Sequence, residues 1–222
     1  LIAEVFLRVR YGFGDAVLMR PDPHYEYIAQ PSQDRHRFGR RILYNSLSMR
    51  SEEADSTAVV ILACGDSVIN GGSLTDNDSL ATTLLGQRLT AAWGSRVQVL
   101  NISAGSWGPD NCAAYLAHTD LPQPSALVLF VSSHDAHDNM SFKQVVGVRK
   151  HFPDRQYSSA IVELMDRYVV PRFVKPKTSS NEELGIDKGE EGFNTGFATL
   201  KRYADVHGIP MLIYLHAERS EI

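Results

Sequence analysis

The sequence predicts an α/β fold: a three-layer α/β/α sandwich around a parallel sheet, flavodoxin-like in style. Three observations carry this. Four short apolar runs have strand character, helix-period segments separate them, and small polar residues gather directly after the runs. Alternating strands and helices favour parallel pairing, because a crossover helix returns the chain to the same end of the sheet.

Residues 58–63 read Ala-Val-Val-Ile-Leu-Ala, an unbroken apolar run of the kind a strand covered on both faces needs. Residues 97–100, 126–131 and 211–215 are the second, third and fourth predicted strands. Leu80, Leu84, Leu85, Leu89 and Trp93 fall on one helical face, with Asp78 as the expected N-cap. Residues 110–118 are expected to form a short helix. Ile161, Leu164, Met165 and Tyr168 mark a helix over 158–170. Phe193, Phe197, Leu200 and Ala204 mark another, closed by Gly208 and Pro210. The polar stretch 175–191 is expected to be a mobile loop or an insertion. Residues 1–56, with turn formers such as Arg20-Pro21-Asp22-Pro23, read as an irregular N-terminal extension packing on a domain that spans 57–222.

The 222 residues suit one domain with or without an extension, and 43% hydrophobic with 22% charged residues is ordinary globular composition. The 22 basic and 26 acidic residues leave a net charge of −4, so no large positive field is available for nucleic acid, and that class of partner is set aside. No apolar run is long enough to predict a membrane span. Cys64 and Cys112 are expected to be buried free thiols. The chain starts at Leu1, and the expectation is an extracytoplasmic location, periplasmic or secreted, after loss of a leader.

In open parallel sheets, ligands bind beyond the carboxyl ends of the strands. Gly65-Asp66-Ser67 leaves the first strand, residues 101–108 follow the second, Ser132-Ser133-His134-Asp135 follows the third, and His216 ends the fourth. A serine at that rim is a candidate nucleophile. Its hydroxyl needs a base to take the proton and donors to hold the oxyanion that forms. Gly71-Gly72 nearby lets the backbone approach a substrate closely. A plain turn uses the same residue types, so the tripeptide gains its meaning from the other two segments.

Taken together, these segments resemble the SGNH/GDSL hydrolase family, the GDSL-like lipases and acylhydrolases. Gly65, Asp66, Ser67 and Gly71 match the family's first block. Asn101 and Ser103 match the start of the second, and an ungapped reading places the family's oxyanion glycine at Ser106, with Gly105 one position before. The third block, Gly-x-Asn-Asp, aligns with Ser132, Ser133, His134 and Asp135. His134 stands in place of the asparagine and can donate through a ring nitrogen; Asn139 is the alternative donor. The last block, Asp-x-x-His, has no copy here. The expectation is a domain truncated at the C-terminus, with the catalytic aspartate and histidine beyond Ile222.

The resemblance implies a serine esterase working through an acyl-enzyme. Ser67 is its nucleophile; the Ser67 amide, Gly105 or Ser106, and His134 form its oxyanion hole. Asp66, Trp107, Asp135 and Asn139 are placed beside the substrate, a small-molecule or carbohydrate ester such as a sugar-linked acetyl group. Trp107 can equally be core filler. No cofactor is implied. His134 and His137 with Asp135 and Asp138 look like metal ligands, but no third or fourth protein ligand is evident, so no metal is expected. Asp22 and His24 could form an acid–histidine pair, but a turn is the expected reading, and His216 is expected to be a surface histidine. The alternatives are an O-acyltransferase delivering to a sugar hydroxyl and a catalytically inactive binding module.

Overall fold

The computed structural model describes residues 1–173, Gly189 and residues 192–216. Its elements in chain order begin with helix α1 (Ile2–Tyr11) and strands β1 (Met19–Asp22), β2 (Glu26–Ala29), β3 (Gln33–Arg37) and β4 (Arg40–Tyr44). Next come β5 (Val59–Gly65), α2 (Ser67–Asn70), α3 (Ala81–Trp93), β6 (Val97–Ser103), α4 (Pro109–His118) and β7 (Ala126–Val131). Last are α5 (Ala160–Leu164), a π turn over Met165–Val169, α6 (Val170–Phe173), α7 (Gly196–His207) and β8 (Met211–Leu215).

The four long apolar runs form one parallel sheet in the order β6-β5-β7-β8. In sequence terms that order is 2-1-3-4, in agreement with a doubly wound α/β fold. β5 is one of the two interior strands, paired with β6 on one side and β7 on the other, and from Val60 onward every residue in it is buried. The strand order reverses beside β5, so the crevice between the carboxyl ends of β5 and β7 is where such sheets take ligands. Leu212, Ile213, Tyr214 and Leu215 on β8 are each more than half exposed, so among the described residues this edge is open.

Residues 1–56 are not irregular. They form α1 and two antiparallel hairpins, β1 with β2 and β3 with β4. Tyr27, Ile28, Ile42 and Met49 are buried in the same core as Leu62, Leu100, Ile102 and Leu127. Periodicity hid the hairpins: β3 reads Gln-Asp-Arg-His-Arg with no apolar residue, and β2 buries all four positions, Glu26 included. Arg37 at the end of β3 meets Glu163 of α5 at 2.7 Å, a buried ion pair that ties the second hairpin to the helical layer.

The α3 face also differs from expectation. Thr82 and Gly86 are its buried residues, with Leu85 and Leu89 packed alongside, while Leu84 and Trp93 point largely outward. Gly86 lets the helix lie close to β6, since a Cβ there would stand 3.3 Å from the Val97 carbonyl oxygen. Asp78 does not cap α3: its N-cap is Leu80, with no side-chain cap bond, and Asp76 caps the short 3-10 turn Asn77–Ser79 before it by accepting from the Asp78 amide. The predicted loop over 175–191 lies, apart from Gly189, outside the described residues. Among the described residues no helix is long and apolar enough to cross a membrane.

Candidate active site

Ser67 is the first residue of α2, directly beyond the carboxyl end of β5. The Asp66 side chain caps this helix by accepting from the Val68 amide at 2.8 Å. The chain thus passes from a buried strand to an exposed serine within two residues. Gly71 ends the single turn at φ 71°, and its amide donates to the Ser67 carbonyl. A Cβ at Gly71 would come within 2.8 Å of Leu80 and 2.9 Å of Thr75, so glycine is required by space as well as by conformation.

A buried polar scaffold fixes α2 from below. The Asn70 amide nitrogen donates to the Ser103 carbonyl and to the Tyr44 hydroxyl, each at 3.1 Å. The Asn101 amide nitrogen donates to the Ile69 carbonyl at 2.7 Å, and the Ser103 hydroxyl donates to the Asn101 side chain. Arg50, 1% exposed, spends both terminal nitrogens on carbonyls of the turn after Ser67: Asn70, Gly72 and Thr75. Asn101 and Ser103 were visible as a motif start. Arg50, Asn70 and Tyr44 were not, because nothing local distinguishes a buried arginine or tyrosine from a surface one.

The second segment turns sharply after β6. Ser106 has φ 59°, the left-handed region that a side chain rarely adopts. Gly105 and Ser106 are half-exposed, and among the described residues their amides donate to no protein acceptor. The Gly105 carbonyl accepts from the Tyr27 hydroxyl at 2.7 Å. Trp107 is 1% exposed. Its indole nitrogen donates to the Tyr27 carbonyl, and its ring packs on Tyr25 and Tyr115. Trp107 is therefore core, corrected from its expected place beside the substrate: two aromatic rings pack on it and its indole nitrogen is bound inside.

The third segment is a 3-10 turn, Ser133–Ala136, after β7. The Asp135 carboxylate accepts from the Ser132 amide at 2.7 Å, closing the turn from inside. Burial pushes the Asp135 carboxyl up, and the neighbouring Asp66 adds to this against the opposing Ser132 amide and His134. The His134 side chain is about half exposed, with Nδ1 2.8 Å from the Ser132 hydroxyl and Nε2 3.7 Å from oxygens of both Asp135 and Asp138.

Asp66, His134 and Asp135 each bring one ligand-type atom within 4.8 Å of the others. The first and third segments therefore meet, with His134 beside the residue that precedes Ser67. This is the arrangement among the described residues that comes nearest to holding a cation. Asp66 was not foreseen as a member, and it comes from a different strand end. His137 is drawn off toward the Gly192 carbonyl and the Phe193 ring. Asn139 bridges to Gly189 through its backbone, and its side chain donates to the His137 and Gly192 carbonyls, so it serves its own loop.

The remaining histidines stand elsewhere. His24 sits in the β1–β2 turn and stacks on His118 of α4 at 3.7 Å, and its own amide, rather than its ring, engages Asp22. His216 follows β8 with its amide bound to the Val131 carbonyl. Among the described residues no imidazole hydrogen-bonds to the Ser67 hydroxyl. Cys64 and Cys112 are free and fully buried. The chain matches no protein-family model and no curated protein sequence.

Proposed function

We propose that this protein is a serine-dependent hydrolase of carboxylic esters of the GDSL type, with Ser67 as nucleophile. The observation that carries the reading is the placement of Ser67. It is an exposed hydroxyl at the start of a capped helical turn, at the carboxyl end of the interior strand β5, beside the point where strand order reverses. A general base takes the Ser67 proton as its oxygen attacks the ester carbonyl, the tetrahedral oxyanion collapses, that proton leaves with the departing alcohol, and water then cleaves the acyl-serine. In this reading the amides of Ser67 and Ser106 and the His134 ring are the donors to that oxyanion. This reading keeps the resemblance to the SGNH/GDSL hydrolases and gives His134 the role of their asparagine. A sugar-linked acetyl ester is the substrate class we favour, on that analogy alone.

The decisive experiment pairs a fluorophosphonate probe with short-chain nitrophenyl esters. We expect the probe to modify Ser67, and Ser67→Ala to lose ester turnover by at least about a thousandfold while its circular dichroism is unchanged. Equal turnover in the alanine variant sinks the proposal. One observation favours a second reading, a non-catalytic binding module: among the described residues no hydrogen bond joins an imidazole to the Ser67 hydroxyl. A protein that binds acetylated sugars yet is inert to the probe is that module.

A further inference from the structure

We propose that Tyr27 is a positioning residue that aims the Ser106 amide at the oxyanion; this rests on the serine-hydrolase reading above. Tyr27 belongs to β2 in the N-terminal hairpin, 79 positions before Ser106 in sequence, and is 1% exposed. Its hydroxyl donates to the Gly105 carbonyl oxygen at 2.7 Å. Its backbone carbonyl accepts from the Trp107 indole at 2.9 Å. One residue therefore grips the loop on both sides of Ser106. Its ring is held in turn by an edge contact with Phe152 at 5.0 Å between centroids.

The geometry of the peptide unit converts that grip into an aim. The peptide joining Gly105 to Ser106 is trans, and across a trans peptide the C=O and N–H bonds point in opposite directions. With the carbonyl of Gly105 bound inward to Tyr27, the N–H of Ser106 points outward, away from the core. Among the described residues that amide has no protein acceptor, as a donor kept for a ligand requires. The left-handed Ser106, at φ 59°, needs its surroundings to hold it there, and the two Tyr27 contacts supply that constraint. The assignment also decides between the two neighbouring amides: the donor is Ser106, not Gly105.

The test is Tyr27→Phe, which keeps the ring and removes only the hydroxyl. Released from its donor, the Gly105 carbonyl is free to rotate and the Ser106 amide loses its aim. We expect kcat on a nitrophenyl ester to fall about tenfold to a hundredfold, with KM within about twofold and a melting temperature within a few degrees of the parent. The second readout is the rate ratio between an oxygen ester and its thionoester. Sulfur is a poor acceptor for an amide aimed at oxygen, so the parent should favour the oxygen ester strongly and Tyr27→Phe should lose about tenfold of that preference. A general loosening of the fold would not move this ratio. An unchanged kcat and unchanged ratio in Tyr27→Phe, with a parent that is active and labelled at Ser67, overturn the Tyr27 role alone. A parent that neither turns over ester nor takes the probe at Ser67 overturns the hydrolase reading and the Tyr27 role with it.

Discussion

At the scale of single residues, position in the sheet matters more than residue type. The place of Ser67 at the exposed rim of the sheet was legible because it follows an unbroken apolar run and precedes two glycines. His134 was legible only as an aligned position. Its setting, between Asp66 and two acids of its own loop, needed the fold. Replacing His134 with asparagine restores a neutral side-chain donor, and we expect much of the ester turnover to remain. His134→Ala removes the donor, with an expected loss of about a hundredfold in kcat. Equal activity of the two variants would remove His134 from the site. Arg50 is the opposite case, invisible in sequence, yet buried in the fold with both terminal nitrogens bound. Arg50→Met leaves the carbonyls of Asn70, Gly72 and Thr75 without their donor. Chemical denaturation should record a stability loss of about 2–4 kcal/mol.

Elements were legible in proportion to how well local pattern reports tertiary contact. The four sheet strands were readable to within a few residues because each contains a short apolar run, which β5 needs for burial on both faces and which β8 keeps although four of its residues stand exposed. The β3–β4 hairpin was not, since its stability comes from contacts such as Arg37 with Glu163, which lie far apart in the chain. Helix α1 shows the same principle: it has no fully buried residue, and polar contacts join it to the body. The Glu4 carboxylate accepts from the amides of Ala160 and Ile161 and from the Ser159 hydroxyl at the start of α5, and it pairs with Arg8. These bonds, the Ala160 amide foremost and working against partial desolvation, lower its pKa from 4.5 to about 2. A carboxylate depressed on folding stabilises the native state fully above its ordinary value, and the contribution disappears as pH falls through the folded value. The difference in urea midpoint between the parent and Glu4→Gln should therefore be complete above pH 4.5 and shrink steadily toward pH 2. A difference that is constant with pH would show that Glu4 acts by packing and not by charge.

At the scale of the molecule, the order β6-β5-β7-β8 that sets the crevice beside β5 needed the fold, whereas the rim at the carboxyl ends of the strands could be located from alternation alone. The boundary at residue 56 could not be, because it was drawn where the local pattern changes and the core ignores that change. Tyr27, Ile28, Ile42 and Met49 from the hairpins interlock with Leu62, Leu100 and Leu127 from the sheet in one buried cluster. If the hairpins were a separable extension, their loss would leave the sheet standing. A shared core predicts one cooperative transition instead. The two tryptophans offer a direct check, since Trp107 sits in the core against Tyr25 and Tyr115 while Trp93 is more than half exposed. Trp107 fluorescence therefore reports on the junction of hairpin and sheet, and far-ultraviolet dichroism reports on the helices. We expect both signals to fall together in denaturant. Ile28→Ala in the hairpin and Leu62→Ala in the sheet should each shift that common transition by about 2–5 kcal/mol, the cost of emptying a fully buried aliphatic site. An Ile28→Ala protein whose Trp107 signal melts early while its dichroism melts with the parent would show two units, and the hairpins would then be an extension after all. A coincident shift means that the loop over 105–107, bound by Tyr27, is as stable as the sheet it follows.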